Sequence, residues 1–265
     1  MREPPRRRAG LVVCQLALAS AIVLAWQWAV TSRRLDPFFF SRPSDIAVRV
    51  TQWLLAGTLW PHIATTFAEA SLSFVIGGFL GALFGFVLGG APILGALLDP
   101  FIRVANALPR VVLAPLFLLW FGLGIWSKVA LGITVVFFIV FFNTYRGVRE
   151  VDRAMIDNVR MLGASRAQLV RHVLVPSALT WIFSSLHISI GMAIIAVVVG
   201  EYLGASRGIG YLIAQAEGVF DTTGVFAGMA VLAAGVLLVG GAISALERRL
   251  LRWKPAAEHD PFTTV

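Results

Sequence analysis

The chain has 265 residues, of which 58% are apolar and only 14% are Asp, Glu, Lys or Arg; 22 basic against 14 acidic side chains give a formal net charge of +8. An ordinary soluble domain is about 45–50% apolar and about 25% charged, so this chain has too little charge for a water-soluble surface. A mean hydropathy of +0.83 and a single cysteine, Cys14, exclude a soluble enzyme, a disordered chain and a disulfide-built scaffold.

At roughly 20 residues per membrane-crossing helix, the length accommodates about six spans. The first apolar run is Leu11 to Val30, behind the basic cluster Arg6, Arg7 and Arg8. Ala17-Leu18-Ala19 resembles a signal-peptide cleavage site, but apolar residues continue past it through Trp26, so a retained helix is expected. Further uncharged runs cover Ala70 to Leu98, Val111 to Ser127, Val129 to Tyr145, Val173 to Gly200 and Thr222 to Leu246. None of the six carries a charge. The third is short, so its helix is expected to begin near Phe101. Gly122 and Gly124 ahead of Lys128 predict a tight hairpin before the fourth. Backbone groups in lipid must be satisfied within the segment, and runs of this length predict helices rather than strands. The fold class is therefore all-α, a polytopic membrane protein with six transmembrane helices.

Orientation follows from the placement of Arg and Lys. With a cytoplasmic N-terminus, the inner segments hold 14 basic residues and the outer ones six, Arg33, Arg34, Arg42, Arg49, Lys128 and Arg207. Both termini inside is the self-consistent solution, and it explains the basic surplus without nucleic acid. Two connections are long. Thr31 to Thr66 lies outside, with a short amphipathic helix expected over Ile46 to Leu55. Arg146 to Arg171 lies inside and carries six arginines. Long connections with structure of their own commonly carry function.

In that inner segment Met155, Ile156, Val159 and Leu162 recur at helical spacing. Gly163-Ala164-Ser165 breaks the pattern, and a second helix follows with Leu169, Val170, Val173 and Leu174. Ser165 suits its N-cap, because a hydroxyl accepts from free first-turn N–H groups. Such basic amphipathic pieces can simply rest on anionic headgroups.

Their spacing, however, resembles the cytoplasmic signature of the permeases of ATP-binding-cassette (ABC) importers: Glu-Ala-Ala, three residues, Gly, nine residues, then Ile-x-Leu-Pro. Here Asp157-Asn158-Val159 precedes Gly163, and nine residues later comes Val173-Leu174-Val175-Pro176. The acid is kept as Asp, while the alanines and the Ile and Leu are replaced by similar or larger residues. The resemblance covers about residues 41–253. Ser41-Arg42-Pro43-Ser44 is similar to the element that opens the outer loop in the nitrate, sulfonate and taurine branch. So are ALPRVVLAPLFLLWFGLGIWSKV from Ala107, NTYRGVREVD from Asn143 and GEYLGASRGIGYLI from Gly200.

The resemblance implies a type I importer permease, with a transmembrane domain at residues 11–253 between cytoplasmic tails 1–10 and 254–265. It implies a coupling loop at 146–177 that docks on a separate ABC ATPase subunit. Asp157, Arg160, Leu162, Gly163, Ala164, Ser165 and Pro176 are its expected coupling residues. ATP and Mg would bind on that partner, and this chain would bind no cofactor and catalyse no reaction. A solute-binding protein and a second identical permease complete the expected assembly in the cell inner membrane. Agreeing with this, neither lysine, Lys128 or Lys254, sits in G-x-x-x-x-G-K-[ST].

Gly77, Gly81, Gly85 and Gly89 recur every four residues, which predicts a helix-packing face. Arg103, Asn106 and Arg110 are candidates for an anion pathway, against a plainer role in reaching the headgroups. His187, inside the fifth span, is a further pathway candidate. The four histidines show no metal-ligand spacing, so no metal site is expected. Two rival classes remain. An ion-coupled transporter or channel would show inverted repeats or charges near midmembrane, and neither is evident. A hydrolase could use Ser206 in Gly204-Ala205-Ser206-Arg207-Gly208, but that motif requires a strand-turn-helix elbow with acid and histidine partners such as Asp221 and His259.

Overall fold

The computed structural model describes residues 5–250, and side chains over 10–242 except Arg153. The tail 254–265 with Lys254 and His259, together with Arg2 and Arg252, lies outside the described residues, as do the side chains of Arg6, Arg7, Arg8, Arg248 and Arg249. Twelve helices are described, and among the described residues there is no strand. They are α1 (Pro5–Thr31), α2 (Pro37–Phe40), α3 (Pro43–Leu55), α4 (Leu59–Gly90), α5 (Pro92–Ala107), α6 (Ala114–Phe121), α7 (Ile125–Arg149), α8 (Arg153–Met161), α9 (Arg166–Leu169), α10 (Val175–Leu203), α11 (Ile209–Gly218) and α12 (Thr222–Leu250). Five stretches are long and apolar enough to cross a membrane: 10–31, 59–90, 125–149, 166–203 and 222–242. A sixth crossing would consist of α5 followed by the turn Arg110–Leu113 and α6, a pair bent by 83°.

Three expectations change. The helix expected from near Phe101 to Ser127 is not continuous: Pro109 forces Leu108 into an extended conformation (φ −64°, ψ 128°), and α5 stops at Ala107. The uncharged run Ala70 to Leu98 is likewise two helices. Ala91 leaves helical geometry, and Pro92, whose missing N–H costs nothing at a first position, opens α5. At its other end α4 begins at Leu59, so Glu69 lies inside a span thought to be uncharged. Finally, the second helix of the inner loop is not separate, because α9 runs through the wide turn Val170–Leu174 directly into α10. The expected amphipathic helix appears as α3, and the hairpin before α7 turns at Gly122 with φ +71°.

The four spaced glycines of α4 face α7. A Cβ on Gly81 would lie 2.6 Å from the Phe137 carbonyl oxygen, and one on Gly85 2.6 Å from that of Phe141. Gly77 meets Ile133 and Val136, and Gly89 meets Val148, so one stripe fits along α7 from Ile133 to Val148. Such close backbone approach lets dispersion hold helices together where lipid offers no hydrophobic drive. Val136 and Val140, which the Gly77 and Gly81 positions touch, also pack with Ala193 of α10, so α4, α7 and α10 meet at one seam. Gly147 sits against the Trp181 ring of α10, where a Cβ would be 2.6 Å from Cδ1. Helices α4, α7 and α10 thus form the centre, with α12 packed where Ala70, Ile194 and Val197 meet Leu232 and Val236.

Candidate functional site

The segment joining α7 to α10 is held by its own caps. Asp152 accepts from Ala154 N at 2.8 Å to start α8. Ser165 and Gln168 form a reciprocal capping box at the start of α9, with Ser165 N donating to Gln168 Oε1 at 2.8 Å and Gln168 N to Ser165 Oγ at 3.3 Å. Between them Gly163 takes φ +79°, a conformation that side-chain-bearing residues rarely adopt. Both helices are therefore fixed locally and present an open face. Leu162 is 86% and Met161 79% exposed, and Arg160 reaches Asp157 only at 3.9 Å, with both side chains exposed. Ala164 and Ser165 line a groove of about 960 Å³ between this segment and the α4–α5 junction, together with Arg149, Arg160 and Arg166. Pro176 directly follows the wide turn Val170–Leu174 at the start of α10.

The break at Leu108-Pro109 brings Arg110 back toward α7. Its Nη2 donates to Asn106 Oδ1 at 2.5 Å, and its guanidinium lies 5.1 Å from the Phe138 ring centroid. Its Nε is buried with no hydrogen-bond partner. Arg110, Asn106 and Asn143 are the polar residues of a cavity of about 460 Å³ whose other walls are apolar side chains, mostly of α7 and α10. Beside it a second space of about 430 Å³ is lined by Arg103, Asn106, Phe142, Asn143 and Arg146. Arg103 donates to Asp99 at 2.6 Å. The three sequence candidates Arg103, Asn106 and Arg110 are thus brought together, and Asn143 and Arg146 join them. His187 is not among them: it is exposed on α10 and lines neither space.

A polar cluster that sequence reasoning missed lies at the other end of α7 and α10. Glu69, Lys128 and Glu201 are 2%, 1% and 1% exposed. Glu201 accepts from the Thr66 hydroxyl and from Gly210 N, each at 2.7 Å, and Thr66 Oγ1 in turn accepts from Ile209 N at 2.8 Å. His62 Nδ1 lies 3.1 Å from both the N and the carbonyl O of Gly208, while its ring stacks on Tyr211. Lys128 Nζ donates to the carbonyls of Leu123 (2.7 Å) and Gly124 (3.1 Å). The glutamates and the lysine each sit at the margin of an uncharged run or just beyond it. A charge abutting such a run was the signal available.

Ser206 is exposed in a loop between two helices, not on a strand-turn-helix elbow. Asp221 is engaged elsewhere, with Arg49 at 2.5 Å and Gly224 N at 3.0 Å. Among the described residues no three His, Cys, Asp or Glu side chains are arranged to hold a metal.

Residues 53–252 match the family described as binding-protein-dependent transport system inner membrane component. A Bacillus subtilis (strain 168) protein named for aliphatic sulfonates transport is 32% identical over 257 residues, covering 97% of this chain and 93% of the relative. The taurine transport system permease protein TauC of Escherichia coli (strain K12) is 30% identical over 257 residues, 95% and 92% of the two chains. An inward-facing structure of the MetNI methionine ABC transporter matches the fold with a TM-score of 0.57 at 22% identity, over 74% of this chain and 96% of that one. The exposed arginine-rich segment between two central helices, the broken third span and these matches agree: the chain belongs to the binding-protein-dependent transport system inner membrane component family, the multi-pass permeases of ABC transporters.

Proposed function

We propose that this chain forms half of an import pathway for a small organic anion with an apolar body, with alkanesulfonates as the best-fitting class. The carrying observation is the cavity at Arg110. One guanidinium, that of Arg110, lines a space walled by Val135, Phe138, Ile139 and Ile195. A sulfonate would meet the Arg110 guanidinium, and the walls would accept an alkyl chain. The lining has no acidic side chain to meet an ammonium, so the space suits a plain alkanesulfonate better than a zwitterion. Basic and amide groups at Arg103, Asn143 and Arg146 continue the polar track toward the arginine-rich end.

That end is the cytoplasmic one in this reading, with both termini on the same side, since basic loops are retained there. A separate ATPase subunit, carrying ATP and Mg, docks on α8 and α9. Leu162 then enters a groove on the partner, while Asp157 and Arg160 set orientation. Two copies of this chain about a twofold axis enclose the pathway, and a solute-binding protein delivers from the other side.

The test is uptake of labelled butanesulfonate into proteoliposomes containing this chain, the ATPase subunit and the binding protein. Accumulation is expected only with ATP and all three components. Uptake by this chain alone under an ion gradient would contradict the reading.

A further inference from the structure

The buried cluster of Glu69, Lys128 and Glu201 has no part in the pathway described above, yet it sits on the helices that carry the coupling segment. That segment is strung between α7 and α10. Near it the two helices meet where Gly147 lies under the Trp181 ring. At their far ends they meet where the Lys128 side chain crosses Gly200, whose Cβ would be 3.2 Å from Lys128 Cγ.

Buried ionisable groups are a costly way to join helices, and well-packed apolar residues give equal or greater stability. What this cluster adds is direction. Thr66 takes the N–H of Ile209, Glu201 takes that of Gly210, and His62 Nδ1 bonds to the Gly208 backbone, so the start of α11 is held by side chains of α4 and α10. Gly208 has φ +123°, and its Cβ position lies within 2.1 Å of the Glu201 carboxyl carbon, so only glycine permits the approach. Lys128 holds the carbonyls of the α6–α7 turn. Hydrogen bonds from His62, Thr66 and Glu201 therefore join α4, α10 and the start of α11, while Lys128 ties α7 to the turn before it and meets α10 by packing on Gly200.

We propose that Glu201, with Thr66 and Lys128, is a positioning site that makes the far ends of α4, α7, α10 and α11 move as one body, carrying displacement of the coupling segment to the opposite mouth of the pathway. This rests on the ATP-driven reading above. The donor accounting makes the two glutamates unequal. Both oxygens of Glu201 are occupied by donors, so an amide that keeps its oxygen on Gly210 N turns its NH2 to Thr66 Oγ1, removing the charge and the acceptor of the Thr66 proton. Glu69 Oε2 accepts from nothing, and Glu69 neighbours Glu201, so an amide at 69 offers a donor toward that carboxylate. It also removes the excess of two carboxyls over one ammonium.

Uptake of labelled butanesulfonate and ATP hydrolysis are to be measured together in proteoliposomes of the full complex. E201Q is expected to lower solute moved per ATP by about tenfold, the scale of one lost charge-assisted bond, with ATP hydrolysis retained. E69Q is expected to keep the wild-type ratio. T66V, which removes one hydroxyl at constant shape, decides the matter if E201Q yields no complex. A wild-type ratio in assembled E201Q or T66V overturns the proposal, even if yield or melting temperature falls. Absence of ATP-dependent uptake by the wild-type complex overturns the importer reading and this proposal with it, whereas normal wild-type uptake with unaltered variants overturns this proposal alone.

Discussion

The two ends of α7 and α10 treat polar groups in opposite ways. Where α8 and α9 connect them, Asp157 and Arg160 are more than three-fifths exposed and 3.9 Å apart, and Leu162 is left almost bare. At the far end Glu69, Lys128 and Glu201 are fully buried, with bonds of 2.7 Å on Glu201 and Lys128. One end is locally capped and open, as suits a surface that a partner completes. At the other the chain itself supplies the partners of Glu201 and Lys128, so motion imposed at the first end meets a bonded joint at the second.

The seam between the ends sets the largest expected effect. Gly81→Leu would place side-chain atoms into the Phe137 carbonyl, and loss of the assembled complex is expected on size-exclusion chromatography. Next comes Glu201→Ala, which strips the Thr66 hydroxyl and the Gly210 N–H of their acceptor. A stability loss of about 3 kcal/mol is expected, seen as a lower thermal midpoint of the purified permease. Leu162→Ala should leave that midpoint unchanged while weakening ATPase association by about 1–2 kcal/mol, measurable by titration of one subunit with the other.

Between the two ends, Arg110→Gln removes the cavity's cation but keeps a donor. Butanesulfonate uptake is expected to slow by about tenfold while ATPase association holds. The smallest effect is expected at the open end's own ion pair. Asp157→Asn should change the thermal midpoint by less than about 1 kcal/mol equivalent, because an exposed pair at that distance is largely screened. A large destabilisation there would erase the contrast between the two ends.

Much of the fold could be read from uncharged runs, because lipid permits few alternatives to a helix of that length. The hairpin at Gly122 and the cap at Ser165 were visible too, since turn and cap chemistry is local. The break at Ala91-Pro92 was hidden inside an uncharged run, and that at Leu108-Pro109 lay in the short gap assigned to the start of the third helix, and hydropathy registers a missing N–H in neither. That second break is what returns Arg110 to α7, so the cavity was legible only as a cluster of residue types. Glu69, Lys128 and Glu201 escaped because a charge beside an apolar run reads as the end of a helix. Here α4 begins ten residues before Glu69, and α7 and α10 each extend past the margin, so tertiary partners on neighbouring helices satisfy groups that would otherwise end a span.

The contrast between the ends is tested most directly by cross-linking. With Cys14 replaced by Ala, Leu162→Cys leaves a single thiol on this chain, at the tip of the open segment. A short bifunctional reagent is expected to join it to the ATPase subunit in a complex that transports, with a yield that changes when ATP is added. A transporting complex that gives no such adduct would contradict the assignment of α8 and α9 as the ATPase contact.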